Sequence, residues 1–419
     1  MVTAADSDGM TTTPLDGVRV VEVGAMAAAA ACGALLAAWG ADVVKVEPPW
    51  GDLGRDAGAA SKTLEGGNRV NPRFELHNRG KRSVAVDLDT LPGRKIVIDL
   101  VAGSDVFVTN ALPRVLERFG LTYRDLAAHN ERLVYGQITG YGLGGPDENR
   151  ASFDHGAFWA QTGLAAYFAA SCGGAPPQAS GGMGDRVAGV LLAGAVSAAL
   201  AGRERTGRGS FVTTSLLRTG IWMQGSVLSD ALLTGKPSPP DRYGTRMPTL
   251  NWFRTADDRL LYLQVMDPER DWERLTRTLD HPAVRATDHG GGLRSDLAAR
   301  SAEVVVALEE AFASRPLAEW AARLDAEGIR WEPVVDHAAV LESRRADDAG
   351  AFVATDHPDL PRAVADPCTI GDQRPTVPRA PAAGADTVAV LRGLGLDRRR
   401  IAALIDQGIV AIPREATNG

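Results

Sequence analysis

Residues 18–49 constrain the fold most. VRVVEVG is a β-branched run, AMAAAAACGALLAAWG a helical stretch closed by Gly40, and ADVVKVEPP a second β-branched run. Parallel neighbours need a connection long enough to hold a helix, whereas an antiparallel pair needs only a turn. The segment therefore predicts a βαβ unit on a parallel sheet. The alternation continues. KRSVAVDL reads as a strand, PGRKIVIDLVAGS as a helix with Pro92 near its start, and DVFVTN as a strand. PRVLERFG and YRDLAAHN follow as helices, then RLVYGQITGYG as a strand. Strands separated by short helices predict a doubly wound α/β domain of the nucleotide-binding kind.

That layout invites a dinucleotide, but the first βα turn reads VGAMAAAA, without GxGxxG, and no Walker pattern occurs. GYGLGGP at Gly140–Pro146 follows a strand and ends in proline, so it reads as a turn. A net charge of -7 without a basic stripe argues against nucleic acid. Cys32, Cys172 and Cys368 are far apart, with no zinc or disulfide spacing, and read as small buried hydrophobes of a reducing compartment. The seven histidines are dispersed, so no metal is expected. The leader MVTAADSDGMTTTPLDG lacks a basic region followed by an apolar core, and the apolar runs Ala25–Gly40 and Val187–Gly202 are short for a bilayer. The expectation is a cytoplasmic chain without membrane contact.

The second half adds a smaller unit. After RERTGRGSFVTTSLLRTGIW (turn, strand, helix), GKPSPPDRYGTRMP is rich in Pro and Gly and reads as a linker. NWFRTADDRLLYLQV reads as a hairpin with Asp257 and Asp258 near its turn, followed by helices and the strand-like IRWEPVVD. The tail from Asp347 reads as Pro-rich coil running into two short helices, DTVAVLRGLG and DRRRIAALIDQG. The expected boundaries are 14–230 for the first part of a large domain, 231–248 for a linker, 249–340 for a small α+β domain, and 341–419 for the return.

One short stretch poses the functional question. In GGMGDRVAGVLLAGAVSAAL, Asp185 stands alone between a glycine run and a helix of small residues. It suits an N-cap, which accepts hydrogen bonds from the first free amides of a helix. It also admits a nucleophile at a helix mouth, where the dipole favours the carboxylate, though the stretch by itself favours the cap.

The segments GADVVKVEPPWGD, NRGKRSVAVDL, DVFVTNALPRVLERFGL, ITGYGLGGP, RASFDHGAFWAQTGL, GDRVAG, RTGRGSFVTTSLL and NWFRTADDRLLYLQV, in this order, resemble the family III CoA-transferases. That superfamily includes formyl-CoA transferase, carnitine CoA-transferases and α-methylacyl-CoA racemase. The resemblance implies a Rossmann-like large domain, a smaller α+β domain and an interlocked homodimer, with Tyr243 and Trp252 facing a partner's pocket or filling a core. It implies that Asp185 is the covalent nucleophile in transfer of CoA from an acyl-CoA thioester to a carboxylic acid. Coenzyme A is then a substrate, and no resident cofactor is expected. Phe153, Asp154, Gly184 and Ala27 fall at substrate-pocket positions, and Asn110 and Arg118 at CoA-contacting ones. Asp154 is alternatively a cap for DHGAFWAQTG, Asn110 a strand-end cap, and Arg118 part of a solvated helix face.

The chain also departs from the pattern. Ala29-Ala30 replaces a Gly-Pro, Asp89 replaces a lysine near the nucleotide, and no glycine-rich lid is visible between Pro240 and Trp252, which disfavours formyl or oxalyl substrates. Gly384-Ala385-Asp386 stands for a Gly-Glu-His and reads as structural. Two other readings stay open. A racemase needs a His immediately before the acid at Asp154. Here that residue is Phe153, and His155, following instead, is expected to face elsewhere. A CoA-binding homologue with a broken site is the non-enzymatic reading.

Overall fold

The computed structural model describes residues 13–56, 62–63, 69–286, 293–370 and 376–413. Residues 1–12 of the polar leader, and Arg374 and Pro375 of the expected return segment, lie outside them. The chain divides into two compact units. One comprises Met1–Ala165, Gln178–Ser229 and Asp347–Gly419, the other Ala166–Pro177 and Asp230–Ala346.

The first unit is built on a seven-stranded sheet. Its strands are β1 (Arg19–Val23), β2 (Asp42–Glu47), β3 (Arg82–Val86), β4 (Val106–Thr109), β5 (Val134–Thr139) and β6 (Ser210–Ser215), closed at one edge by a two-residue strand, Val410–Ala411. The order is Val410–Ala411, β3, β2, β1, β4, β5, β6. All neighbours are parallel except Val410–Ala411, which runs antiparallel to β3. Order 3-2-1-4-5 is that of doubly wound folds, with the switch of direction between β1 and β4.

Both faces of the sheet are covered, as a parallel sheet requires. Val20, Val43, Val106 and Val108 pack under α1 (Ala28–Ala38) and the long helix α5 (Met183–Thr206). Val21, Val44, Val84 and Phe107 face α3 (Leu91–Ala102), Leu116 of α4 (Pro113–Phe119) and the C-terminal helices. Alternation of adjacent valines between the two layers follows the two-residue period of a strand.

α1 is buried almost all round, which explains its uniformly small composition. A Cβ on Gly189 of α5 would lie 2.7 Å from the Ala31 Cβ and 3.0 Å from the Ala28 carbonyl, so glycine sets how closely α5 crosses α1. α5 is long and apolar enough to cross a membrane by length and composition. Its buried stripe of Ala188, Leu192, Ala193, Val196 and Leu200 packs into this core.

Three features depart from the sequence reading. The tail forms a three-stranded sheet (Phe352–Thr355, Arg362–Val364, Thr376–Val377) where coil is expected. These strands are too short to show a period, and prolines lie among them. Pro72–Asn78, here α2, is a helix capped by Asn71, a start signal the reading passes over. Finally, Cys172 and Cys368 are exposed, and only Cys32 is a buried hydrophobe.

In the second unit the hairpin forms as Leu250–Arg254 paired antiparallel with Leu260–Gln264, with Trp331–Pro333 on its far edge. Phe253, Leu261, Trp272, Phe312 and Trp320 make its core. Tyr243 and Trp252 are partly exposed. The Arg242 guanidinium lies 3.9 Å from the Trp252 ring centroid and 5.2 Å from that of Tyr243, so a core role is excluded for both.

Candidate active site

Asp185 lies in the first turn of α5, which begins at Met183 after Gly182 in the left-handed conformation (φ 78°). No side chain caps this helix, and the Asp185 carboxylate accepts no hydrogen bond among the described residues. The cap reading is therefore not met. The amide at position 184 is instead taken by Asp154, whose Oδ2 accepts from it at 3.3 Å. Gly184 has no room for a side chain, since a Cβ there would lie 2.3 Å from Phe158. The missing side chain brings the helix mouth against the Phe158 segment.

Asp154 is buried and makes no capping bond to its own helix. Its Oδ1 lies 3.1 Å from His155 Nδ1. The expectation that His155 faces elsewhere is not met either. His155–Ala160 is a π-helix, with the Gln161 N–H donating to the Gly156 carbonyl five residues back. The angular spacing of an α-helix does not apply to such a turn. His155 consequently borders the same cavity as Asp154 and Asp185.

Two cavities meet at Asp185. The larger, about 660 Å³, runs along the carboxyl ends of the strands, past Gly24, Pro48, Leu88, Asn110 and Gly140. Doubly wound folds bind ligands at this edge. The smaller, about 270 Å³, lies between α2, the π-helix and the mouth of α5. Asp185, Met26, Ala27 and Phe153 border both, and Phe153 is 68% exposed, as a wall residue rather than a core one.

Burial, reinforced by the Asp154 charge, pushes the Asp185 carboxyl up to about 6, against the opposing Arg186 and His155. His77, which lines the smaller cavity, is driven down to about 3, first by burial and then by the Arg186 charge.

The wall opposite Asp185 is the first βα turn, Gly24–Ala27, where Met26 is left-handed (φ 64°). Asn110 clamps this turn, its Oδ1 accepting from the Ala25 N–H at 3.1 Å and its Nδ2 donating to the Ala25 carbonyl at 2.8 Å. Asp52 Oδ1 accepts from the Met26 N–H at 3.1 Å. Behind Asp52 lies a chain of buried charges. Lys45 Nζ is 2.7 Å from Asp52 Oδ2 and 3.0 Å from Glu22 Oε1, and Lys81 Nζ is 2.7 Å from Glu22 Oε2. Burial alone would raise the Glu22 carboxyl, but the two ammonium groups hold it below its usual range.

The structure thus brings together Asp185, Ala27, Phe153, Asp154, Gly184 and Asn110. Arg118 lines neither cavity itself; it is exposed, paired with Asp89 and lies 5.2 Å from the Phe119 ring centroid, and both of those residues line the larger cavity. Sequence reasoning misses Arg73, His77, His155 and Arg186 as cavity residues. It includes Lys45, Asp52 and Lys81 in its motifs without assigning them a contact.

Residues 15–387 match the model of CoA-transferase family III. An (R)-2-hydroxy-4-methylpentanoate CoA-transferase of Clostridioides difficile is 29% identical over 94% of this chain and 99% of its own length. A succinyl-CoA:mesaconate CoA-transferase of Haloarcula hispanica is 32% identical over 75% of this chain and 76% of its own. Among solved structures, a CAIB/BAIF family protein from Brucella suis is 26% identical and superposes with a TM-score of 0.75, covering 92% of this chain and 100% of that one.

Proposed function

The chain belongs to CoA-transferase family III and transfers CoA between acids, and from that premise we propose that Asp185 carries the transfer covalently. The observation that carries this reading is a carboxylate that, among the described residues, is free of hydrogen bonds, at the meeting point of two cavities of about 660 and 270 Å³. The larger cavity takes the pantetheine arm along the strand ends, and the smaller takes the acyl group.

The Asp185 carboxylate attacks the thioester carbonyl. The C–S bond breaks, CoA leaves as thiolate, and a mixed anhydride joins Asp185 to the acyl group. The thiolate then attacks the aspartyl carbonyl of the anhydride, releasing the first acid as carboxylate and leaving an aspartyl-CoA thioester. The incoming carboxylate attacks that thioester, giving a new anhydride and free thiolate. Attack of the thiolate on the new acyl carbonyl releases the product thioester and restores Asp185. Charge is conserved at each step, and thioester exchanges for thioester, so no ATP is required. Asp185 stands in the first turn of α5, where the helix dipole favours developing negative charge.

An acid–base reading, proton exchange at the acyl α-carbon, is favoured by the place of His155 beside Asp185 in the smaller cavity. One experiment separates the two. The wild type and Asp185→Ala are incubated with a panel of acyl-CoAs in D2O, then analysed by intact mass and hydroxylamine cleavage. Covalent transfer predicts a hydroxylamine-sensitive adduct at Asp185 in the wild type and none in the variant, with thioester label passing to a free acid. Deuterium gain at the α-carbon without an adduct would replace this reading with the acid–base one.

Cytoplasmic action belongs to the same proposal, as does a homodimer. The homodimer has support in Trp222, Leu232 and Leu233, large apolar side chains 74%, 86% and 86% exposed.

A further inference from the structure

The smaller cavity has an electrostatic character of its own. Arg73, the second residue of α2, and Arg186, next to Asp185 on α5, both line it. Both guanidinium groups border the Gly181-Gly182 turn at the mouth of α5. Arg73 Nη1 lies 3.8 Å from where a Cβ of Gly181 would stand, and Arg186 Nη1 lies 3.1 Å from that of Gly182. Among the described residues neither guanidinium carries an ion pair or a hydrogen bond. That is unlike Arg55, Arg79 and Arg82, neighbours in the same unit, each of which is paired with a carboxylate.

A third group points to a ligand. His77 lines the same cavity, is 6% exposed, and its Nε2 is buried without a partner. A buried polar atom left unpaired is costly, so such atoms tend to be satisfied by something that binds. Two free guanidiniums and a free imidazole nitrogen around one small space present donors and positive charge beyond what a single reacting carboxyl requires.

We propose that the acyl groups exchanged by this protein carry a second carboxylate, held by Arg73 and Arg186 in the smaller cavity. The assignment rests on the covalent reading of Asp185, which fixes the reacting carboxyl and leaves the arginines for the far end of a short dicarboxylic acid. At about 270 Å³ the cavity is below the usual range for drug-sized ligands, so it suits a short acid and not a phosphorylated nucleoside. Guanidiniums match carboxylates with paired, charge-assisted hydrogen bonds, and they repel a quaternary ammonium. Carnitine-like acids are therefore disfavoured, a choice the sequence by itself leaves open.

The test compares succinyl-CoA with butyryl-CoA, which has the same chain length and an uncharged end, and uses free coenzyme A as a competitive probe. The wild type is expected to favour succinyl-CoA in kcat/KM. Arg186→Gln and Arg73→Gln are each expected to collapse the succinyl-to-butyryl ratio by about 10- to 100-fold, the range of a charge-assisted hydrogen bond. Free coenzyme A should inhibit wild type and variants alike. A wild-type ratio near one, or variants that slow both thioesters equally, would overturn the assignment. Weaker inhibition by free coenzyme A in the variants would overturn it too, by moving the arginines onto CoA phosphates. Adduct mass at Asp185 separates the two layers of the argument. Adducts from both thioesters with no charge preference sink the dicarboxylate assignment alone, whereas no adduct from either sinks the covalent reading beneath it.

Discussion

Asp185 and Asp154 line one small cavity, and the Asp154 charge acts on the Asp185 carboxyl. On the proposed covalent route Asp185 must be ionised to attack, yet burial and Asp154 hold its carboxyl at about 6. The reactive fraction therefore falls as pH drops through that value, and kcat/KM should show an acid limb there, since this ratio reports the free enzyme. Asp154→Asn removes the repelling charge and keeps an amide oxygen for the Gly184 N–H. The limb is then expected to move to lower pH, without reaching the ordinary carboxylate value, because burial is the larger cause and remains. A pH–rate profile of this variant beside the wild type checks it. A limb that stays in place, or moves up, would show that Asp154 does not set the acidity of Asp185.

At the scale of elements, the site depends on how β1, β2 and α1 pack around buried charge. Gly33 sits inside α1, where alanine ordinarily favours a helix by about 1 kcal/mol. Here the sign should reverse. A Cβ at Gly33 would lie 2.0 Å from Glu22 Oε2, the oxygen that holds Lys81. Glu22 is wholly buried and has no open side to move into. Displacing it leaves Lys45 and Lys81 short of their shared anion, and breaking a buried pair costs about 3–5 kcal/mol. Gly33→Ala should therefore lower the urea midpoint markedly, and an unchanged or raised midpoint would refute the packing argument. The same region shows what the sequence exposes and what it conceals. The βαβ unit and the parallel order are legible because β-branched runs and an Ala-rich helix carry their own periodicities. Its own stretch leaves Asp185 between cap and nucleophile, and only through the family resemblance of the ordered segments is it legible as a candidate site residue. The pairing of Lys45 with Asp52 and Glu22 is not, because it joins residues on separate strands and loops through tertiary packing. His155 is concealed for another reason: it starts a π-helix, whose side-chain directions an α-helical reading misplaces. Arg73 and Arg186 look like surface charge in the sequence, and only the fold shows that the exposed Arg73 and the half-buried Arg186 border one cavity between α2 and the mouth of α5.

On the scale of the molecule, the C-terminal tail completes the unit that holds the site. After Asp347 the chain returns to it and lays Val410–Ala411 against β3, with Asp386 accepting from the Ser83 N–H at 2.8 Å. Gly384 and Asp386 thus fasten the return segment to the edge of the sheet, consistent with a structural role for that triplet. Thr387 is the centre of this join. It is fully buried; its Oγ1 accepts from the Ala85 N–H at 3.1 Å and donates to the Ala411 carbonyl at 2.7 Å. Thr387→Val keeps the shape of the side chain and leaves both backbone partners without their hydrogen bond. Each buried group so stranded costs about 1–3 kcal/mol. None of these atoms borders either cavity at Asp185. The variant is therefore expected to unfold at lower urea concentration, while KM at low temperature, where the fold persists, stays at the wild-type value. If instead KM rises with the fold intact, the tail reaches the substrate through β3, whose end at Val86 borders the larger cavity, and the join helps to shape the site as well as to close the sheet.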